Sequence, residues 1–117
     1  MPYALLIHEP RGQRLERGLE QGQVAYQRML DFAATLKQRG VLREAQSLKS
    51  DDVGVRVQVR DGRKTLLDGP FSEAKEMIGG FFLLDGVTQD EALAIAAECP
   101  AVQWATVEVR ELGPCFT

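Results

Sequence analysis

Two residues combine a reactive side chain with a position that could expose it to a substrate. His8 is the single histidine of the 117-residue chain and follows an apolar run, so its imidazole lies at the end of a predicted strand. Asp68 precedes Gly69-Pro70, a rigid turn that could direct the carboxylate into a pocket. A lone histidine more often has a structural role than a catalytic one. An aspartate at such a turn often accepts a hydrogen bond from a nearby backbone N–H, so structural roles are favoured for both residues. His8 and Asp68 are the candidate catalytic residues.

A second group of residues could hold a ligand. Glu73, Lys75 and Glu76 could combine two carboxylates with an ammonium if they were partly buried, although such clusters are more often solvated. Aromatic side chains could line a pocket, although packing in the core or between subunits is more common at their spacings. These aromatic residues are Tyr26, Phe81, Phe82 and Trp104. The candidate ligand-binding residues are Gln23, Tyr26, Phe71, Glu73, Lys75 and Phe82.

The composition argues against several other kinds of site. Cys99 and Cys115 lack metal-ligand spacing and accompany a single histidine, so we predict two free thiols and no bound metal. Gly79-Gly80 lacks the G-x-G-x-x-G spacing that holds phosphates, and the sequence predicts no cofactor. The net charge is −3 with basic residues scattered among acidic ones, which argues against nucleic acid as a partner.

Length and hydropathy predict one soluble domain over residues 1–117. A chain of 117 residues is too short for two separate cores, and its 44% hydrophobic and 26% charged residues are typical of globular proteins. No apolar run approaches the roughly 18 residues that cross a bilayer, and the amino terminus has no basic segment ahead of an apolar one. We therefore expect a cytoplasmic protein without a membrane partner.

The periodicity of apolar residues predicts two helices. Apolar residues recur at helical spacing from Gln23 to Arg39, and Gly40 stands at the expected C-terminal cap. Thr88 and Glu91 form a capping box ahead of a second helix that ends before Pro100. The glycine-rich residues 11–22 are predicted as a connection that could include one loose helical turn around Leu15 to Leu19.

Shorter apolar patterns predict the strands. Valines alternate with polar residues from Val53 to Val59, which indicates a half-buried strand. Asp61-Gly62 then favours a tight turn, so a hairpin is predicted over residues 53–67. The last strand is expected to place Trp104 on one side together with Thr106, Glu108 and Arg110. The other predicted strands are Tyr3 to Ile7, Val41 to Ser47, Gly79 to Leu84 and Trp104 to Arg110.

This order of elements predicts an α+β fold with a split βαβ arrangement, in which two helices cover one face of an antiparallel sheet. The second face would then carry valines, phenylalanines and the tryptophan. A bare face of that kind exceeds the apolar patch that monomers usually tolerate. We therefore expect a homodimer formed face to face.

The segment Asp68-Gly69-Pro70-Phe71-Ser72-Glu73-Ala74-Lys75-Glu76-Met77-Ile78-Gly79-Gly80-Phe81-Phe82-Leu83-Leu84 resembles the DGPF domain proteins, a branch of the YCII-related family. Further likeness comes from the chain start, from Asp90-Glu91-Ala92 leading to Cys99-Pro100, and from Val107-Glu108-Val109-Arg110. The resemblance implies a ferredoxin-like fold of the dimeric α+β barrel kind. It also implies a link to small-molecule chemistry, including lyase-type reactions on aromatic compounds.

Family relatives pair a histidine at the start of the first helix with an aspartate as an acid–base dyad. If Gln23 is the matching position, the amide cannot take up a proton and the dyad is absent in that form. Some DGPF genes also lie beside genes for extracytoplasmic-function sigma factors, which suggests a regulatory setting.

Three functional hypotheses follow. The leading one is a homodimer that binds a small molecule in a pocket, with catalysis left open. The second is a cofactor-independent lyase or isomerase acting on a small aromatic or carbonyl compound, with His8 or Asp68 as base and Lys75 stabilising an anion. The third is a protein-interaction module in a sigma-factor-linked setting.

Overall fold

The computed structural model describes residues 2–116 and has the predicted α+β architecture. The helices and strands are β1 Tyr3–Pro10, α1 Gln13–Gln38, β2 Leu42–Ser47, β3 Val55–Arg60, β4 Arg63–Asp68, β5 Glu76–Leu84, α2 Gln89–Glu98 and β6 Thr106–Glu111. Short 3-10 turns occur at Asp51–Val53 and Pro100–Gln103. Four antiparallel strands form one sheet in the order β2-β5-β1-β6, and β3 and β4 form a separate hairpin.

The core lies between the two helices and one face of the sheet. On β1, Leu5 is fully buried and its odd-numbered neighbours are buried with it, whereas Leu6 lies on the opposite face. Leu36 of α1 and Ile95 of α2 close the core from the other side. The first strand is therefore confirmed, although its continuous apolar run is buried on one face only and the strand runs on through Pro10.

The second helix begins as its sequence predicted. Thr88 Oγ1 accepts a hydrogen bond from the Glu91 backbone N–H at 3.1 Å, and the Thr88 backbone N–H donates to Glu91 Oε1 at 3.0 Å. The capping box is confirmed, and the hydrogen bonds to Glu91 lower the pKa of its carboxyl below the usual value. No helix within residues 2–116 is long and apolar enough to cross a bilayer.

The first helix is longer than predicted. It begins at Gln13 rather than Gln23, so the irregular connection expected over residues 11–22 is wrong. Glutamine, arginine, glutamate and leucine fill this segment, and all favour helix. Gly18 accounts for the misleading pattern, because its φ of 81° and ψ of 172° kink the helix without ending it.

Two glycines of α1 provide a matched test of this kink. We expect Gly18→Ala to destabilise the protein by about 1 to 3 kcal/mol, because its backbone lies in a region that only glycine adopts freely. Gly22→Ala is expected to stabilise the protein by about 0.5 to 1 kcal/mol, because Gly22 has no left-handed φ and a Cβ there would meet no neighbour. Urea unfolding of both variants measures the difference, and effects of equal sign would contradict the assigned kink.

The hairpin of β3 and β4 projects from the body instead of covering it. Every residue of both strands is exposed, so the half-buried strand predicted from the valine alternation is wrong. The turn is as predicted, with left-handed φ angles of 52° at Asp61 and 75° at Gly62.

The radius of gyration is 16.0 Å. A compact chain of this length would measure about 13 Å, so the molecule is extended.

The sheet face away from the helices, here called the open face, differs from the predicted one. Trp104 packs on the helix side, because a 3-10 turn ends there and the alternation of β6 begins only at Thr106. No valine of β6 reaches the open face, since Val107 and Val109 pack against the core. The apolar residues of the open face are Ala4, Leu6, Ile78, Phe81 and Leu83.

Candidate functional site

A cavity of about 890 Å³ lies between α1 and the helix-facing side of the sheet. It exists because only the C-terminal third of α1 packs closely, through Phe32 and Leu36. Before that point the helix stands away from the strands, and Leu15 and Leu19 line the cavity while remaining 90% and 79% exposed. The space is therefore open, largely apolar and of the size that small-molecule sites have.

An ion pair between a buried carboxylate and a half-exposed guanidinium faces this cavity. Glu9, at 5% exposure, is the one charged residue among the buried residues of the described chain. Its Oε1 lies 2.5 Å from Arg14 Nη2, but this atom receives no well-directed hydrogen bond. Arg14 also donates to the backbone oxygens of Leu48 at 2.8 Å and Gly79 at 3.3 Å. The guanidinium is thus fixed, and the Glu9 side chain lies beside it in the cavity wall.

The sheet makes room for this pair at a bulge in β5. Ile7 pairs with Gly80 and His8 with Ile78, so Gly79 is the extra residue. A Cβ at Gly79 would collide with the Glu9 carboxylate and lie 2.9 Å from Arg14 Nη2. The conformation needs a residue without a side chain at this point, which gives the first glycine of the pair a role in the cavity.

Positive charge dominates the cavity lining. Glu9 is the one carboxylate there, whereas Arg14, Arg17 and Lys49 contribute three cations. A surplus of cations gives the cavity a positive potential, so this imbalance favours an anionic ligand.

Aromatic side chains complete the lining. The guanidinium carbons of Arg17 and Arg28 lie 5.3 Å and 5.2 Å from the centre of the Trp104 ring, within the range of cation–π attraction. Tyr26 is half exposed at the cavity, while Phe82 is buried against Phe32. The cavity therefore offers planar surfaces next to cationic groups.

Three of the predicted ligand-binding residues line this cavity, and three do not. Gln23, Tyr26 and Phe82 belong to its wall. The other three follow the hairpin: Phe71 packs beneath Arg56, whose guanidinium carbon lies 3.8 Å from the ring centre. Glu73 and Lys75 are exposed there.

Sequence reasoning missed Glu9 and Arg14. The signal for Glu9 was present, because residues 3, 5, 7 and 9 share one face of a strand and the first three are apolar. The sequence has no comparable signal for Arg14, because the contact of Arg14 with Glu9 depends on a helix that begins ten residues earlier than predicted.

The structure does not bring the two candidate catalytic residues into contact. His8 lies on the open face, where its Nε2 is 2.7 Å from Glu108 Oε1. Asp68 ends β4 in an exposed position, and within residues 2–116 its side chain has no hydrogen bond or ion pair. The turn after it is fixed by the backbone instead, through the Gly69 N–H donating to the Gly54 oxygen at 2.8 Å.

Glu108 is the residue that holds His8. It accepts hydrogen bonds from Arg110 at 2.7 Å and 2.9 Å in addition to its contact with His8. These two partners, Arg110 first, lower the pKa of the Glu108 carboxyl below its usual value. In the part of the chain that is described, histidine, cysteine, aspartate and glutamate side chains form no cluster suited to a metal ion.

A pH dependence follows for Glu108. A carboxyl whose pKa is lowered on folding contributes stability above its unfolded pKa and loses it as the pH falls through the folded pKa. We therefore expect Glu108→Gln to lower the urea midpoint most at neutral pH, and the difference from the wild type to vanish in acid. Glu111→Gln, at an exposed position of the same strand, is the control. A difference that grows in acid would contradict the assigned pairing.

Comparisons with known proteins agree with this fold. Residues 1–115 match the model of the YCII-related domain. An uncharacterised protein of Rhizobium meliloti (strain 1021) is 42% identical over 54 residues, which cover 44% of each of the two chains. The structure of 5-chloro-2-hydroxyhydroquinone dehydrochlorinase from Burkholderia phenoliruptrix AC1100, in complex with 2,5-dihydroxybenzoquinone, superposes with a TM-score of 0.57. It is 16% identical, and the match covers 97% of this chain and 94% of that one.

Proposed function

Since the chain belongs to the YCII-related family, we propose that it binds a small planar anion in the α1 cavity and works as a homodimer. The observation that carries the proposal is the Glu9–Arg14 pair, held at the wall of a cavity that cationic and aromatic side chains line. A protein rarely buries a carboxylate such as Glu9 unless it is structurally or functionally required, because desolvating a charge is costly.

The lining indicates the chemistry of the ligand. Arg14 can bind an oxyanion with a guanidinium that the Leu48 and Gly79 oxygens already orient. Glu9 can accept a hydrogen bond from a ligand hydroxyl, and Trp104 offers a planar surface. A hydroxylated aromatic carboxylate or a hydroxylated quinone satisfies all three contacts. The ring compound bound by the structural neighbour, 2,5-dihydroxybenzoquinone, belongs to the second of these classes.

The open face supports the homodimer. Leu6, Phe81 and Leu83 are only half-buried within one chain, and Ile78 is 44% exposed. Pairing the open faces of two copies would remove this apolar surface from water. The fold is ferredoxin-like and of the kind found in dimeric α+β barrels, in which sheets pair in this way.

A second candidate function is cofactor-independent lyase or isomerase chemistry on a compound of the same class. The observation that favours it is the carboxylate of Glu9 in the cavity, where it could take a proton from a bound hydroxyl. The roles predicted for His8 and Asp68 stay proposals. His8 would act with Glu108 on the open face, because Glu108 and not Asp68 contacts it.

Trp104 makes the binding proposal directly testable. It is the single tryptophan of the chain and lines the cavity, so its fluorescence reports on the site. We would titrate the protein with 2,5-dihydroxybenzoquinone and with hydroxybenzoates. Saturable quenching is expected, and Arg14→Met is expected to weaken it by about tenfold or more, since a charged hydrogen bond contributes about 1.5 to 3 kcal/mol.

The control is Arg43→Met, which removes an exposed arginine of β2 that does not line the cavity. Quenching that does not saturate, or that both variants weaken equally, would argue against the cavity as the binding site. Turnover of a bound compound that Glu9→Gln abolishes would favour the enzymatic alternative, and binding without turnover would disfavour it.

A further inference from the structure

The cavity beneath α1 has two chemically different ends. At one end Arg14 contacts Glu9 and donates a hydrogen bond to the Leu48 oxygen. Lys49 follows Leu48 in the chain, and Arg17 lies about one turn along α1 from Arg14. These residues account for every charge in the lining that residues 2–116 provide. The charges of the cavity are therefore gathered at a single end.

The opposite end is apolar. Phe82 is buried there, and its ring meets that of Phe32 of α1 edge to face, with 5.4 Å between the ring centres. Ala45 of β2 pairs with Phe82, and Met29 and Ala33 of α1 pack against the same cluster. All of these except Phe32 line the cavity. This end therefore favours an apolar group of a ligand.

The strand register gives the distance between the two ends. Glu9 lies at the charged end of β1, and Leu5 pairs with Phe82 at the apolar end. Four positions of an extended strand separate residues 9 and 5, which corresponds to about 13 Å. A single ring with polar substituents is shorter than this, and cavities of about 300 to 1,000 Å³ hold drug-sized molecules. A small planar anion bound at Arg14 would leave the apolar end unfilled.

The edge of the cavity has the same character as its apolar end. Leu19, Tyr26 and Leu30 of α1 line the cavity and are exposed to water. An apolar group that enters between α1 and the sheet would withdraw part of these side chains from water, which is favourable.

We propose that the ligand of this cavity is an amphipathic anion, with a planar anionic head at Arg14 and an alkyl substituent that extends past Met29 to Phe82. The inference rests on the function proposed above and specifies the part of the ligand that this function leaves open. An alkyl chain needs no hydrogen-bond partner at the apolar end. A second charged or hydroxyl group there would lose its water without gaining a partner, which is costly.

A series of ligands that differ only in chain length tests the inference. The probes are 2-hydroxybenzoate and its 4-ethyl, 4-butyl and 4-hexyl derivatives, in which the chain lies opposite the carboxylate. Full burial of one methylene raises affinity by about fourfold, so in this open cavity we expect at least tenfold tighter binding from ethyl to hexyl. Isothermal titration calorimetry measures the affinities, and the heat-capacity change of binding is expected to become more negative with chain length. Equal affinity along the series would overturn the inference.

Two neighbouring alanines show whether the chain lies inside the cavity. Ala33→Phe fills the apolar end, whereas Ala34→Phe adds the same ring at an exposed residue outside the lining. The readout is the ratio of the dissociation constants of 2-hydroxybenzoate and its hexyl derivative. We expect Ala33→Phe to lower this ratio at least fivefold and Ala34→Phe to leave it unchanged. Equal ratios in the two variants would overturn the inference, because the chain would then bind elsewhere.

Gly22→Leu keeps the inference testable if Ala33→Phe fails to fold. Gly22 lines the cavity between its two ends, and a Cβ there would meet no atom within 4 Å. Leucine favours helix, so the change narrows the cavity without opposing the local structure. The gain from the hexyl chain is expected to fall in this variant as well, and a gain equal to that of the wild type would contradict the assigned path.

The outcomes separate this inference from the proposed function. If none of the four compounds binds, both fail. If 2-hydroxybenzoate binds and Arg14→Met weakens it, but a longer chain adds no affinity, the proposed function stands and the alkyl substituent is wrong.

Discussion

Arg14→Met is expected to lower the free energy of unfolding by about 2 kcal/mol, clearly more than Glu9→Met does. Without Arg14, the Glu9 carboxylate is buried with no cation beside it, since Arg14 is its ion-pair partner in the structure. Without Glu9, Arg14 keeps its hydrogen bonds to the Leu48 and Gly79 oxygens, and its side chain is 35% exposed to water. Urea unfolding of the two variants measures this asymmetry.

The double variant completes the cycle. Glu9→Met with Arg14→Met is expected to be more stable than Arg14→Met alone, because it removes the buried charge together with its partner. If Glu9→Met proved the more destabilising single change, or if the two effects simply added, the pair would not have the role assigned to it here.

Gly69→Ala is expected to cost about 3 kcal/mol or more, since overpacking a tight site typically costs 1 to 3 kcal/mol. A Cβ at Gly69 would collide with the backbone oxygen of Asp51, which cannot rotate away as a side chain could. The 3-10 turn at Asp51–Val53 would have to move, and with it the bidentate ion pair between Asp51 and Arg11. Loss of stability in urea and faster hydrogen exchange at Gly54 and Gly69 are the measurements.

Gly113→Ala is the matched control. A Cβ at Gly113 would meet no neighbouring atom, and its φ is not left-handed. A change within about 0.5 kcal/mol is therefore expected there. Equal stability of the two variants would show that the approach of Gly69 to Asp51 is not required for folding.

Local patterns were enough to predict the elements that pack on the core. β1, β5 and α2 each have a continuous run or a helical repeat of apolar residues bounded by turn or cap residues, and each appears where it was predicted. The patterns failed at the hairpin. The valines of β3 have the same alternation as a half-buried strand, yet nothing within residues 2–116 covers them.

The candidate site was harder to predict than the fold, because it depends on contacts between distant segments. Glu9 and Arg14 meet because β5 bulges at Gly79 and α1 begins at Gln13, and neither feature has a clear local signature. His8 and Asp68 were selected for reactivity and local turn chemistry. Neither property shows that one would lie on the four-stranded sheet and the other at the base of the hairpin.

The central claim is that the α1 cavity holds a small planar anion beside Glu9 and Arg14. The most direct test is a crystal structure of the protein soaked with hydroxylated quinones and hydroxybenzoates. We predict ligand density between Trp104 and the Arg14 guanidinium, with a ligand hydroxyl within hydrogen-bond distance of Glu9. A cavity filled by protein side chains, or ligand density on the open face beside His8 with the cavity empty, would contradict the claim.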